Sequence, residues 1–83
     1  MRKEMQFIIK NAVKKELQKR TKAHIWITFK DDDMCIELTY LQEKFVYYEY
    51  NMMEKLYYGI HSKTVVDNVI KAYKKHILSK YFL

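Results

Sequence analysis

The sequence predicts a single two-layer α+β domain over residues 1–83. Its order is helix, three-stranded antiparallel meander, helix, with both helices on one face of the sheet. Three observations predict it. Apolar residues recur at spacings of three and four at both ends of the chain but alternate with polar ones in the middle. Charge changes at the same boundaries: residues 1–22 carry +6, residues 62–83 carry +4, and the segment between them carries −4. The 83 residues, 49% apolar and 31% charged, suffice for one core and its solvated surface, with too few for a second domain.

The first helix follows from Met5, Ile8, Ile9, Ala12, Val13 and Leu17, which fall on one stripe about four turns long. Glu16 and Arg20 lie near the stripe's centre, spaced to pair with each other. From Ala23 the period becomes two, with Ile25, Ile27 and Phe29 on one face of a strand and His24, Trp26, Thr28 and Lys30 on the other. Asp31-Asp32-Asp33 then turns the chain into a second strand, where Met34, Ile36, Leu38 and Tyr40 alternate with Cys35, Glu37 and Thr39. A two-residue turn at Asp31-Asp32 sets Phe29 opposite Met34, Ile27 opposite Ile36 and Ile25 opposite Leu38, so the apolar sets coincide on one face.

A short turn around Gln42-Glu43 leads to a third strand, Phe45 to Tyr50, rich in β-branched and aromatic residues. A two- or four-residue loop points Phe45 and Tyr47 inward and Val46, Tyr48 and Tyr50 outward, whereas a three-residue loop reverses them. Residues 51–58 fit either a short amphipathic turn or a passage over the sheet edge, and Gly59 is placed to end it in a left-handed conformation. The last helix, capped by Ser62 or Thr64, presents Val65, Val66, Val69, Ile70, Tyr73 and Ile77 as a stripe. Tyr81-Phe82-Leu83 form an apolar tail.

Several function classes are excluded or left without residues to carry them. The apolar runs are a few residues long, far short of the ~18 a membrane span needs. The N-terminal segment lacks a signal-peptide core, and a single cysteine cannot form an intrachain disulfide; a cytoplasmic protein is expected. Cys35 and His24 stand four strand residues apart, on the order of 13 Å, too far for a nucleophile and its base. His24, His61 and His76 lack metal-ligand spacing, and Asp31-Asp32-Asp33 lacks the alternating ligands of a calcium loop. One glycine in the chain leaves no phosphate-cradling loop. A non-enzyme with no cofactor and no metal is expected.

Binding is better represented. The uncovered sheet face displays Trp26, Glu37, Tyr48 and Tyr50, with Glu37 expected between Trp26 and Tyr48 in one cross-strand row. Exposed aromatics can stack bases, but a carboxylate among them repels phosphate, so protein docking or self-association is the leading expectation. The alternative is nucleic-acid binding with little sequence specificity through the outward lysines of the helices: Lys10, Lys14, Lys15, Lys19, Lys22, Lys63, Lys71, Lys74 and Lys75. Lysine outnumbers arginine fourteen to two while proline is absent, a balance that AT-rich codon usage also produces.

The order helix, three strands, helix resembles the double-stranded RNA-binding domain across nearly the whole chain. That family's Gly-Pro hairpin is replaced here by Asp31-Asp32-Asp33, and of its lysine cluster at the start of the second helix only Lys63 is present, so RNA binding is not carried over. Ile9 to Leu17, Lys22-Ala23-His24 and Val65 to Tyr73 look like small proteins of phages and mobile elements of low-GC Gram-positive bacteria. That resemblance implies a cytoplasmic accessory protein and supplies no functional residue.

Overall fold

A computed structural model describes residues 1–82, with the backbone alone for Phe82. The remainder of the apolar tail, the Phe82 side chain and Leu83, lies outside the described residues. The elements are α1 (Lys3–Arg20), β1 (His24–Lys30), β2 (Asp33–Tyr40), β3 (Glu43–Glu49), α2 (Met52–Tyr57) and α3 (Ser62–Phe82). The strands form one antiparallel sheet in the order β1-β2-β3.

The first hairpin has the expected register: Phe29 pairs with Met34, Ile27 with Ile36 and Ile25 with Leu38 around the two-residue turn Asp31-Asp32. Asp33 therefore begins β2, and its carboxylate accepts the Asn51 backbone N–H at 3.0 Å. The second hairpin points Phe45 and Tyr47 inward, opposite Leu38 and Ile36. Its loop is Leu41-Gln42, one residue earlier than anticipated, with both residues in the left-handed region (φ +50° and +68°). A loop at Gln42-Glu43 would have kept the same parity but slid β3 by two residues, setting Glu49 opposite Ile36 in the middle of the core face. The observed register moves Glu49 to the end of the sheet, opposite Met34.

Glu49 is nonetheless buried, with 6% of its surface exposed. It is satisfied there: the Tyr47 hydroxyl donates to one carboxylate oxygen at 2.8 Å and Lys55 to the other at 2.5 Å. Burial, reinforced by this bond to a carboxylate, pushes the Tyr47 phenol up to about 12. The network ties α2 to β3. The Asn51–Tyr58 segment is thus a short helix, closed by paired hydrogen bonds from Gly59 N–H to Leu56 O and from Ile60 N–H to Lys55 O around Gly59 at φ +83°.

One core joins every element. Ile9, Val13 and Leu17 of α1 and Val65, Val66, Val69 and Ile70 of α3 meet Ile27, Met34, Ile36 and Leu38 of the sheet, with Met52 of α2 beneath them. Both long helices therefore cover the same sheet face, as the paired apolar stripes require. Arg20 bridges the helices by pairing with Asp67 at 2.8 Å, while Glu16 pairs with Lys19 at 3.1 Å, so the anticipated Glu16–Arg20 pair does not form. The two partners are recruited in different directions because α1 ends against the second turn of α3. Ile8, expected in the buried stripe, is 64% exposed. Phe7, Ile8 and Ile9 are consecutive, and a helix can aim only one of them squarely at the core. Neither Ser62 nor Thr64 is the cap of α3: His61 holds that position, its carbonyl accepting from Thr64 and Val65.

Candidate functional site

The face of the sheet opposite the helices is built by strand alternation, which sends every second side chain away from the core. It carries three cross-strand rows, His24–Thr39–Lys44, Trp26–Glu37–Val46 and Thr28–Cys35–Tyr48, with Lys30 and Asp33 paired at the next position and Tyr50 beyond the end of β3. Trp26 is 64% exposed, Tyr48 52% and Tyr50 55%, and Val46 is exposed as well. The Tyr48 and Tyr50 rings stack at 5.8 Å with 9° between planes, a preorganised flat surface at one corner. Beside it a shallow depression of about 310 Å³ runs past Thr28, Lys30, Cys35 and the two tyrosines.

Glu37 does not stand between Trp26 and Tyr48. The earlier loop sets it between Trp26 and Val46, and Tyr48 instead faces Cys35. Its charge is matched within the face, by Lys44 at 3.6 Å. A negative charge on Cys35 would oppose ionisation of the adjacent Tyr48, whose phenol is held above its ordinary value first by that neighbour. His24 and Cys35 sit on rows four residues apart along the strands, as anticipated. Among the described residues no group of three or more His, Cys, Asp and Glu is arranged to hold a metal ion.

The lysines lie elsewhere. Lys14, Lys15, Lys19, Lys22, Lys63, Lys71, Lys74 and Lys75 are all exposed, and among the described residues only Lys19 of these makes an ion pair. Lys10 departs from the pattern: it is half-buried, with its ammonium 5.9 Å from the centre of the Trp26 ring. It thereby links α1 to the rim of the open face rather than to the outward lysine layer. No helix among the described residues is long and apolar enough to cross a membrane.

A second concavity was not legible in the sequence. It is a cleft of about 260 Å³ at the far end of the sheet, lined by Tyr40, Glu43 and Phe45 from the β2–β3 hairpin and Tyr73, His76 and Tyr81 from α3. Phe45 packs at its base against Tyr73 (5.4 Å between ring centres) and His76 (5.2 Å). Glu43 pairs with Lys80 at 2.5 Å, and this hydrogen bond lowers the carboxyl below its usual range while raising the lysine. Comparison of the chain with protein-family models, curated proteins and solved structures finds no match.

Proposed function

We propose that this chain is a small cytoplasmic, non-enzymatic accessory protein that works by protein contact through its open sheet face, and that the first occupant of that face is a second copy of itself. The observation that carries the reading is the uncovered patch of Trp26, Val46, Tyr48 and Tyr50, whose one central charge, Glu37, is already matched by Lys44. Such a patch is dehydrated at little electrostatic cost.

Charge favours self-association by this route over contact between the helical layers. Each copy carries +6, concentrated on the helical layer, and two copies repel if those layers approach. Contact through the sheet faces keeps the lysines on opposite outer sides. Three strands some seven residues long, at ~4.8 Å between strands and ~3.3 Å per residue, give a footprint of roughly 300 Å² per copy. That is about half of what the smallest specific interfaces bury per partner, so the dimer is expected to be weak and concentration-dependent.

Sedimentation equilibrium over a wide concentration range tests the reading, alongside thiol labelling of Cys35 at the centre of the face. The expected result is a monomer–dimer equilibrium in which Cys35 labels more slowly as the dimer fills, and which Trp26→Ala abolishes. A monomer at all concentrations, with labelling independent of concentration, would overturn it; a heterologous protein that protects Cys35 would move the occupant from a second copy to that partner. The exposed lysines without carboxylate partners favour one second reading, nucleic-acid binding without sequence preference, which requires retention on DNA or RNA at low salt and its loss at higher salt.

A further inference from the structure

We infer that the cleft between the β2–β3 hairpin and the last turns of α3 is a binding site for a small organic cation of the quaternary ammonium type. Three phenols, Tyr40, Tyr73 and Tyr81, and the ring of Phe45 line it together with the Glu43 side chain. Ring quadrupoles together with one carboxylate attract a cation that carries its own apolar shell, and they do so most strongly where water is partly excluded.

The chain itself supplies the second observation. The Lys80 ammonium is bound to Glu43 and lies 5.9 Å from the centre of the Tyr81 ring. Lys80 is thus an intramolecular cation at the edge of the site, and Glu43 is the group a ligand would share with it or take from it. The Tyr73 phenol is raised above its ordinary value, first by its burial in the wall of the cleft. Of the other charged or titratable groups at the cleft, Lys44 is held by Glu37 at 3.6 Å, and His76 has its ring packed on Phe45. A volume of about 260 Å³ is just below the ~300 Å³ at which drug-sized pockets begin, which limits the ligand to a few heavy atoms around the charge.

Titration with choline, followed by backbone and aromatic NMR shifts, tests the assignment against the neutral analogue in which carbon replaces the charged nitrogen. The expected result is saturable shifts confined to the cleft, with a dissociation constant on the order of millimolar and binding of the neutral analogue at least about fivefold weaker. Lys80→Met, which frees Glu43, is expected to tighten choline binding about threefold, and Glu43→Gln to weaken it toward the level of the neutral analogue. Both positions are substantially exposed, so both variants are expected to fold. Equal binding of choline and its neutral analogue, no saturable response at the cleft, or a Lys80→Met variant with unchanged affinity would each overturn the inference.

Discussion

Replacing Leu41-Gln42 by Asn-Gly tests the register on which the composition of the open face depends. Both residues have positive φ, in a two-residue loop joining antiparallel strands. Such loops favour Asn-Gly because Asn tolerates the left-handed region and glycine adopts it freely. An ordinary side chain there costs about 1–2 kcal/mol per residue. Glycine returns roughly 0.5–1 kcal/mol of that as extra entropy of the unfolded chain. Leu41 is 79% exposed, so its removal forfeits little burial. The pair Leu41→Asn, Gln42→Gly is therefore expected to stabilise the fold by about 1–2 kcal/mol. For a domain of this length that corresponds to a rise in Tm of roughly 5–10 °C, with the urea m-value unchanged. Thermal and urea unfolding followed by circular dichroism measure it. A loss of stability would show that the loop lies elsewhere, for instance at Gln42-Glu43, and that Tyr48 rather than Val46 stands beside Glu37.

The buried carboxylate gives two further expectations. Tyr47→Phe removes a hydrogen bond to a charged acceptor and should cost about 1.5–3 kcal/mol in urea unfolding near neutral pH. In the parent the Tyr47 pKa is about 12 when folded and ~10 when unfolded, so its contribution is complete below pH ~10 and is lost as pH rises toward 12. The variant should have a flatter alkaline limb, and an identical limb would remove Tyr47 as its cause. Lys55→Met should cost about 1–3 kcal/mol in urea unfolding near neutral pH, because Glu49 is left buried with one donor; an unchanged stability would count against the pairing. Gly59→Ala meets no atom within 4 Å but keeps φ at +83°, so a loss of about 1–2 kcal/mol from conformation alone is expected in thermal unfolding.

The alternation of Ile25, Ile27 and Phe29 against Met34, Ile36 and Leu38 specified the first hairpin to the residue, because a one-residue slip would expose the whole set. The second hairpin was legible only in parity. Leu41 and Gln42 have no turn chemistry of their own, and the loop position is decided by where Glu49 can be buried with a donor. That requirement depends on Lys55, which belongs to a six-residue helix too short to show a period. Glu49 shares the inward parity of Phe45 and Tyr47, and this was the available signal for its burial. The open face was readable because strands assign faces residue by residue. The cleft was not, since residues near 40–45 and 73–81 approach only through the docking of α3, and no local pattern encodes that approach.

Ionic strength separates the two surfaces, because they sit on opposite sides of the domain and respond to salt with opposite signs. Sheet-face association brings together a patch whose Glu37 and Lys44 are already paired, while the lysine layers still repel across the dimer. Added salt screens that repulsion over a Debye length of about 8–10 Å near physiological strength, so dimerisation should hold steady or strengthen from low to moderate salt. Nucleic-acid retention should fall over the same range, since each lysine–phosphate contact releases a counterion. Sedimentation at two ionic strengths, with and without a short duplex, measures both. Dimerisation that weakens with salt in the absence of nucleic acid would point to a different contact, helix lysines of one copy against the Asp31-Asp32-Asp33 end of another. That head-to-tail arrangement leaves a free lysine layer and a free acidic end on every oligomer, so it would grow beyond a dimer, whereas the sheet-face pair closes at two.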